Sequence, residues 1–231
     1  MAMTRREAPA APGGSIERSG SDALQVDGVQ ALLVATERLL QRRDLRSIKI
    51  QEIVSEVGIN RATFYFYFTS KYAVVAQLLT RYRDEVLDAV EPWTGVRVSA
   101  SDDDTIVDNA AYRDQLTTAF TQLVEVWQRH SALMRAASAN WRVVPELRDV
   151  WQENLKWFVD ASTARIEADR RLGIAPPRGD ARRLATSLML LNVAMLQNLA
   201  DEGPMSLGPE HSVDLMCEIW IQSIYGTPDH S

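Results

Sequence analysis

Residues 48–75 read IKIQEIVSEVGINRATFYFYFTSKYAVV, and the five rings FYFYF near the centre decide the fold. Taken alone, alternating aromatic residues favour a β-strand. The neighbouring residues predict otherwise, because Gly58 suits the left-handed cap that ends a helix and Asn60 is a strong helix N-cap. No second strand-like run lies nearby, and an unpaired strand would leave its backbone groups unsatisfied. The stretch therefore predicts two helices joined by a sharp turn, with Phe64 and Phe68 on one face of the second.

The same stretch resembles the helix-turn-helix of the TetR family of bacterial transcriptional regulators. The resemblance covers a short helix, Gly58, a second helix that ends in the five rings, and Thr69-Ser70-Lys71 at the start of the next helix. It implies an all-α homodimer that binds double-stranded operator DNA, acts as a repressor and releases the DNA when a small ligand binds.

The reading of base edges is predicted for Arg61, Ala62 and Thr63, because a recognition helix presents its amino-terminal half to the major groove. Arg61 can pair bidentately with guanine, and Thr63 can reach a base edge or a phosphate oxygen. Phe66 can lie against a thymine methyl group.

Other residues around the turn are expected to contact the sugar-phosphate backbone. The resemblance implies this role for Tyr65 and Tyr67, and Lys71 lies in a first helical turn, where free N–H groups attract phosphate. Lys49 stands where the family usually has Ser or Thr, so it predicts a weaker N-cap and a phosphate contact. The predicted DNA-contacting residues are Lys49, Gln51, Asn60, Arg61, Ala62, Thr63, Tyr65, Phe66, Tyr67 and Lys71.

Helical spacing of apolar residues continues along the chain and predicts an all-α fold of about nine helices. Residues 1–22 are rich in Ala, Pro, Gly and Ser and predict a flexible arm. Residues 23–70 are expected to form the DNA-binding domain, and residues 71–231 a ligand-binding and dimerisation domain. Pro92 is expected to end the helix that begins after Ser70. Later helical patterns lie at about 106–129, 131–140, 145–172, 180–200 and 210–225.

Charge is distributed unevenly along the 231 residues, whose formal net charge is -6. Residues 1–72 carry ten Lys and Arg against eight Asp and Glu, whereas the remainder carries fifteen against twenty-three. The basic end is thus the end with the helix-turn-helix, as DNA binding requires. A single cysteine excludes a disulfide framework and predicts the reducing cytoplasm. No apolar run reaches membrane-spanning length.

The larger domain combines aromatic and apolar residues with two asparagines, Asn154 and Asn192, on otherwise apolar faces. Because a buried Asn needs partners and ligand pockets are apolar with a few polar groups, the pattern predicts a cavity for a small apolar or amphipathic ligand. Core packing is the alternative for any one of these residues. Resemblance to a mycobacterial member of the family implies pocket positions for Trp127, Trp157, Met189, Asn192, Leu196 and Trp220. The full predicted set is Leu87, Val90, Trp93, Leu116, Leu123, Trp127, Met134, Trp151, Asn154, Trp157, Met189, Asn192, Leu196 and Trp220.

Two carboxy-terminal helices are too apolar to face water on any side. Residues 184–199 are apolar nearly all round, and so is the last helix, so each needs a partner beyond the body of its own chain. In the TetR family the corresponding helices form the dimer interface. The homodimer is therefore predicted to form through the helices at about 180–200 and 210–225.

The helix that follows Ser70 is predicted to couple ligand to DNA. It would be about 30 Å long, with its start at the phosphates and its end beside the cavity. A ligand that presses on Leu87, Val90 or Trp93 would move it.

Two other classes of protein remain open from the residues alone. An enzyme is suggested only by an acidic cluster whose spacing does not match a metal site and which more simply forms a solvated loop. That cluster is Asp102, Asp103, Asp104 and Asp108. The histidines, His130, His211 and His230, have no metal-ligand spacing. The other class is a helical small-molecule carrier without a DNA role. The prediction is a regulator that is not an enzyme and uses no metal or cofactor.

Overall fold

The computed structural model describes residues 16–95, 109–201 and 206–226, with side chains from Asp27 onward in the first range and from Tyr112 onward in the second. Within these ranges the chain forms nine α-helices and no strand, which confirms the all-α prediction. The helices are α1 Ile16–Leu40, α2 Ile50–Val57, α3 Arg61–Tyr67, α4 Lys71–Thr94, α5 Asn109–Arg129, α6 Ser131–Asn140, α7 Pro145–Arg171, α8 Ala181–Ala200 and α9 Pro209–Ile224.

Two predicted boundaries are wrong. The first helix begins at Ile16, so residues 16–22 are helical rather than part of an arm, and residues 1–15 lie outside the described ranges. Helix α4 continues through Pro92 to Thr94, where Gly95 caps it in the left-handed conformation. A proline near a helix end removes only one backbone hydrogen bond, and burial of Trp93 holds the turn that follows.

The acidic cluster, Asp102, Asp103, Asp104 and Asp108, also lies outside the described residues.

The helix-turn-helix is built from local capping. Gly58 has φ 77° and ends α2 with its N–H bonded to the Val54 carbonyl. Asn60 then caps α3 and Ser70 caps α4, each accepting a backbone N–H through its side-chain oxygen. These caps confirm that the ring segment is helical over Phe64 to Tyr67, while Phe68 is the extended C-cap of α3.

One hydrophobic core joins α1–α3, here called the head, to α5–α9, here called the body. In the head, Phe64 is fully buried and Phe68 nearly so, against Leu32, Ile53 and Val74. Helix α4 belongs to both parts, because it packs on α1 as well as on α5 and α7. The body closes with α7 on α8 and α5 on α9. The arrangement places one long helix between the recognition helix and the interior of the body.

No helix in the described ranges combines the length and apolar character needed to cross a membrane.

Candidate DNA-binding surface and ligand cavity

Helix α3 has a rigid inner side that orients its outer side. The Asn60 Oδ1 accepts the Thr63 N–H at 2.9 Å and the Thr63 hydroxyl at 3.2 Å, which anchors the first turn. Phe64 and Phe68 are buried, with ring centroids 6.1 Å apart. A helix that is held at its cap and along one face presents its remaining side chains in one fixed direction.

The outer side of α3 carries four exposed residues: Arg61, Ala62, Tyr65 and Phe66. Tyr65 is 49% exposed and Phe66 72% exposed, unusually high values for large apolar rings. The Arg61 guanidinium lies 5.9 Å from the Tyr65 ring centroid, and its Nη2 is 3.4 Å from the Tyr65 hydroxyl. The surface therefore offers a cation, a hydroxyl and an exposed ring side by side, which suits base edges and phosphates.

Tyr67 occupies a different position from Tyr65. It is half-buried against the core, and its hydroxyl faces Gly28 of α1, where an added Cβ would come within 2.8 Å. Gly28 thus leaves the space in which the ring lies. The Tyr67 hydroxyl sits at the seam between α1 and α3, beside the exposed surface of α3.

The prediction that Lys71 contacts a phosphate is contradicted by its hydrogen bonds. Its ammonium donates to the carbonyls of Leu45 at 2.7 Å, Arg46 at 2.9 Å and Ile48 at 2.6 Å. These bonds use all three of its protons. Burial lowers the pKa of Lys71, although Glu52 opposes the shift. Lys71 holds the turn before α2 in place instead of facing solvent.

The start of α2 shows how a lysine can stand at an N-cap. The ammonium of Lys49 has no acceptor lone pair, but Glu52 accepts the Lys49 backbone N–H at 2.7 Å. This is one half of a capping box. That backbone hydrogen bond lowers the pKa of the Glu52 carboxyl, and the adjacent Arg43 adds to the effect. Gln51 is exposed beside Lys49, so both side chains remain available at this surface.

A second site lies inside the body, where α4, α5, α6, α7 and α8 contribute to the wall of an apolar cavity. Its volume is about 70 Å³. Ten predicted residues line it: Leu87, Leu123, Trp127, Met134, Trp151, Asn154, Trp157, Met189, Asn192 and Leu196.

Four predicted lining residues do not line this cavity: Val90, Trp93, Leu116 and Trp220. They are buried in the core instead. Trp220 explains the difference, because its ring packs edge-on against Trp93 at 5.1 Å and Phe120 at 5.4 Å. Its indole N–H donates to the Asn192 Oδ1 at 3.0 Å, so it supports the cavity wall from behind.

Sequence reasoning missed seven lining residues: Leu79, Tyr82, Arg83, Val86, Leu155, Phe158 and Val193. Four of them lie on α4 at spacings of three and four, which continue the stripe that contains Leu87. That stripe is a signal in the sequence, but it is shared by any helix that faces a core.

Four polar atoms on the cavity residues are buried without a hydrogen-bond partner among the described protein groups. They are the Tyr82 hydroxyl, the Trp127 Nε1, the Asn154 Oδ1 and the Asn192 Nδ2. Burial raises the pKa of Tyr82, with a further contribution from Glu85, so the phenol stays protonated and can donate. Buried polar atoms are usually paired, and here they include donors and an acceptor around an apolar space.

A third surface lies on α8 and α9. Leu190 of α8 is 59% exposed and Leu215 of α9 is 36% exposed, while Ala194 is exposed between turns of the same face of α8. Large exposed aliphatic residues on neighbouring helices are typical of a surface that another protein covers.

In the described ranges no group of three or more His, Cys, Asp or Glu side chains has an arrangement that could hold a metal ion. The thiol of Cys217 is buried, and burial raises its pKa, so it is an unreactive thiol.

Comparison with known proteins agrees with the helix-turn-helix and with the body. The family model for bacterial regulatory proteins of the tetR family matches residues 32–78, and the model for the C-terminal domain of the transcriptional regulator EthR matches residues 116–226. The chain is 33% identical over 202 residues to the HTH-type transcriptional regulator EthR of Mycolicibacterium smegmatis, covering 87% of this chain and 88% of that protein. The chain therefore belongs to the TetR family and is a DNA-binding transcriptional regulator.

Within the family it is similar to the EthR regulators. EthR of Mycobacterium tuberculosis H37Rv is 32% identical over 200 residues, which cover 85% of this chain and 86% of that protein. These relatives are named as transcriptional regulators and do not favour the enzyme or carrier alternatives.

Solved structures agree on the fold alone. A TetR-family regulator from Syntrophomonas wolfei superposes with a TM-score of 0.67 at 13% identity, covering 88% of this chain and 98% of that one. A transcriptional regulator from Saccharomonospora viridis, crystallised with choline, superposes with a TM-score of 0.60 at 20% identity, covering 85% and 96%.

Proposed function

We propose that this regulator is a homodimeric repressor that leaves its operator when a small apolar or amphipathic ligand enters the cavity in the body. One observation carries the proposal: a single helix, α4, begins at Lys71 beside the recognition helix and lines the cavity with residues between 79 and 87. A ligand that displaces this part of α4 moves the start of the helix as well, because an α-helix transmits displacement along its axis.

The cavity residues describe the ligand's chemistry. Apolar and aromatic side chains favour a narrow hydrocarbon or aromatic body. The Tyr82 hydroxyl and the Trp127 N–H can donate hydrogen bonds to a ligand, and the Asn154 Oδ1 can accept one. Arg83 also borders the cavity, but its guanidinium reaches outward to Glu153 at 3.4 Å. A short primary amide with an aliphatic tail matches these groups, because its carbonyl accepts hydrogen bonds and its N–H donates them.

Two copies would pair through the exposed face of α8 and α9. A twofold dimer places two recognition helices on half-sites separated by about 34 Å or a multiple of that spacing. In this arrangement residues 23–70 form the DNA-binding domain, and residues 71–231 form the ligand-binding and dimerisation domain. The protein would act in the cytoplasm, where its DNA lies.

The contacts of α3 suggest separate tasks in the DNA complex. Arg61, Ala62 and Phe66 would face base edges. Thr63 would accept from a donor on a base edge through its lone pairs, or donate its hydroxyl to a phosphate oxygen in place of Asn60. Tyr65 would reach the backbone together with Asn60 and Tyr67 at the ends of the helix, and Lys49 and Gln51 would do so at the start of α2. Lys71 is left out of this set, since its protons are already donated within the head.

Coupling requires that the ligand bind one arrangement of the heads more tightly than the other. A ligand shifts the equilibrium only by its difference in affinity for the two arrangements. Of the α4 residues that line the cavity, Val86 and Leu87 lie nearest the carboxy-terminal end of the helix. The ligand would displace them first.

DNA binding is tested with full-length protein and a random duplex library. Selection should yield a preferred duplex whose affinity falls steeply with salt. Arg61→Ala and Tyr65→Ala should each weaken binding by about tenfold. Arg171→Ala removes an exposed arginine at the end of α7 and serves as the matched control. Equal losses in all three variants, or no selected duplex, would contradict the proposal.

Ligand response is tested on the selected duplex with straight-chain primary amides of increasing length. The amide that quenches tryptophan fluorescence most should also release the duplex, and Asn154→Leu should abolish both effects. Unchanged duplex affinity at a saturating amide concentration would show that the cavity does not control DNA binding.

A further inference from the structure

His130, at the junction of α5 and α6, joins three parts of the molecule. Its Nδ1 lies 3.1 Å from the Glu37 Oε1 on α1, and its Nε2 lies 3.0 Å from the Glu85 Oε1 on α4. The imidazole is largely buried, and both carboxylates are partly so. One side chain of the body thus contacts the head and the connecting helix at once.

The chemistry of imidazole makes this bridge depend on protonation. A neutral imidazole carries one N–H and one lone pair, so it can donate to only one of two carboxylates. The other carboxylate then faces a lone pair, which is repulsive. Only the imidazolium form donates to both, and charge-assisted hydrogen bonds are stronger than neutral ones. Among side chains, histidine is the one whose charge ordinarily changes between about pH 5 and pH 8.

The neighbouring cationic side chains do not supply the hydrogen bond that the imidazolium gives to Glu37. On α5, Arg129 donates to the Glu85 Oε2 at 2.8 Å, and on α4, Arg81 donates to Gln30 of α1 at 2.6 Å. Neither guanidinium contact includes Glu37. The remaining titratable neighbour on α4 is Tyr82, whose raised pKa keeps it neutral.

The bridge also adjoins the ligand cavity. The Tyr82 ring packs edge-on against the His130 ring at 5.6 Å, while Tyr82 itself lines the cavity. A ligand that widens this narrow cavity would displace Tyr82 and disturb the imidazole. The hydrogen bonds of His130 to Glu37 and Glu85 are therefore expected in the arrangement in which the cavity is narrow.

Other polar contacts between the head or its junction with α4 and the body lack this property. Arg46 donates to the Asn140 Oδ1 at 2.9 Å, and Ser70 donates to the Glu146 Oε1 at 3.1 Å. Neither donor changes its charge near neutral pH. Among the described contacts of this kind, the His130 bridge is the one whose two hydrogen bonds require an added imidazole proton.

We propose that His130 is a positioning residue that fixes the head against the body when its imidazole is protonated, so that the regulator binds its operator more tightly as the pH falls through neutrality. The inference rests on the proposed function, because it assigns the narrow-cavity arrangement to the DNA-bound state. Protons and the ligand would then act in opposite directions on one bridge.

The test measures the affinity of the full-length protein for its selected duplex between about pH 6 and pH 8.5 at constant ionic strength. The wild type should weaken by about fivefold or more across this range, whereas His130→Gln should show little change. His211→Gln, which alters an exposed histidine on α9, should retain the wild-type pH profile. Since His130 is largely buried, Glu37→Gln supplies a second variant, which should also flatten the profile.

Three outcomes would overturn the inference. A wild-type pH slope that persists in both His130→Gln and Glu37→Gln would overturn it while leaving DNA binding intact. Tighter binding at high pH would also overturn it. If no duplex is bound at any pH, the proposed function fails as well.

A double-mutant cycle supplies a measurement without DNA. The combined effect of Glu37→Gln and His130→Gln on Tm should be non-additive near pH 6 and additive near pH 8.5. Additivity at both values would show that the two side chains do not form a proton-dependent bridge.

Discussion

At the scale of single residues, α3 divides its rings between two tasks. Phe64 and Phe68 are buried and stabilise the head, whereas Tyr65 and Phe66 are exposed and face solvent. The division follows from the helical period, because residues four apart share a face and residues one or two apart do not. Stability and recognition can therefore be altered separately within five consecutive residues.

Phe64→Ala and Phe66→Ala form a matched pair that tests this division. Phe64→Ala should lower the free energy of unfolding by about 3–5 kcal/mol, because it leaves a cavity in the core of the head. Phe66→Ala should change it by less than about 0.5 kcal/mol but weaken duplex binding. Chemical denaturation and fluorescence anisotropy measure the two effects. Similar stability losses in both variants would show that Phe66 is not a surface residue.

Lys71 yields a second prediction at this scale. Lys71→Met removes the donor to three carbonyls before α2 and should destabilise the protein by about 1–3 kcal/mol. Lys49→Met, at an exposed site of similar charge, should have almost no effect on unfolding. If Lys71→Met lowers only duplex affinity and leaves Tm unchanged, the phosphate role assigned to Lys71 by sequence would be restored.

At the scale of elements, α2 begins with half a capping box. Glu52 reaches back to the Lys49 N–H, but Lys49 offers no acceptor to the N–H groups of the first turn. The depressed pKa of Glu52 means that its contribution to stability is fully present above the ordinary glutamate range and is lost as the pH falls through the folded-state pKa. Helix α2 is therefore expected to weaken in acid.

Lys49→Ser should complete the capping box and stabilise the protein by about 0.5–1 kcal/mol. The serine hydroxyl would accept an N–H that lysine cannot, while Glu52 keeps its own bond. Lys49→Ala removes the charge without adding an acceptor at the N-cap, so it should not stabilise the protein. Thermal unfolding near neutral pH measures both variants. An equal rise in Tm for serine and alanine would mean that relief of charge, rather than capping, is responsible.

At the scale of the whole molecule, the proposed regulation would depend on surfaces that lie far apart. The recognition helix, the cavity and the α8–α9 face are connected by α4 and by the body that packs on it. Twofold pairing would convert a movement of α4 into a change in the distance between two heads, which is what a pair of half-sites detects.

Leu190→Glu should prevent dimer formation, because it places a charge at the centre of an apolar surface. Sedimentation should show a monomer, and duplex affinity should fall with a salt slope reduced by about half. Leu172→Glu is the control, since Leu172 is 67% exposed at the end of α7 and belongs to neither α8 nor α9. A dimeric Leu190→Glu protein would place the interface elsewhere.

Local signals in the sequence determined the recognition helix and most of the helix positions. Gly58, Asn60 and Ser70 act on residues within four positions of themselves, so the caps could be predicted without knowledge of the fold. The cavity was indicated by Asn154 and Asn192, because a polar side chain on an apolar helical face can be recognised from the spacing within one helix. Ten of the cavity residues followed from helical spacing and family resemblance.

Tertiary structure alone decided which buried rings border the cavity and which fill the core. In the sequence, Trp93 and Trp220 cannot be told apart from the tryptophans that line the cavity. In the structure, their edge-to-face contact with each other places them in the core. It also turned Lys71 inward and brought Glu37, Glu85 and His130 together from three helices. Such contacts join residues far apart in the chain, as the 93 positions between Glu37 and His130 show. Periodicity describes one helix at a time, so it carries no information about which faces of separate helices meet.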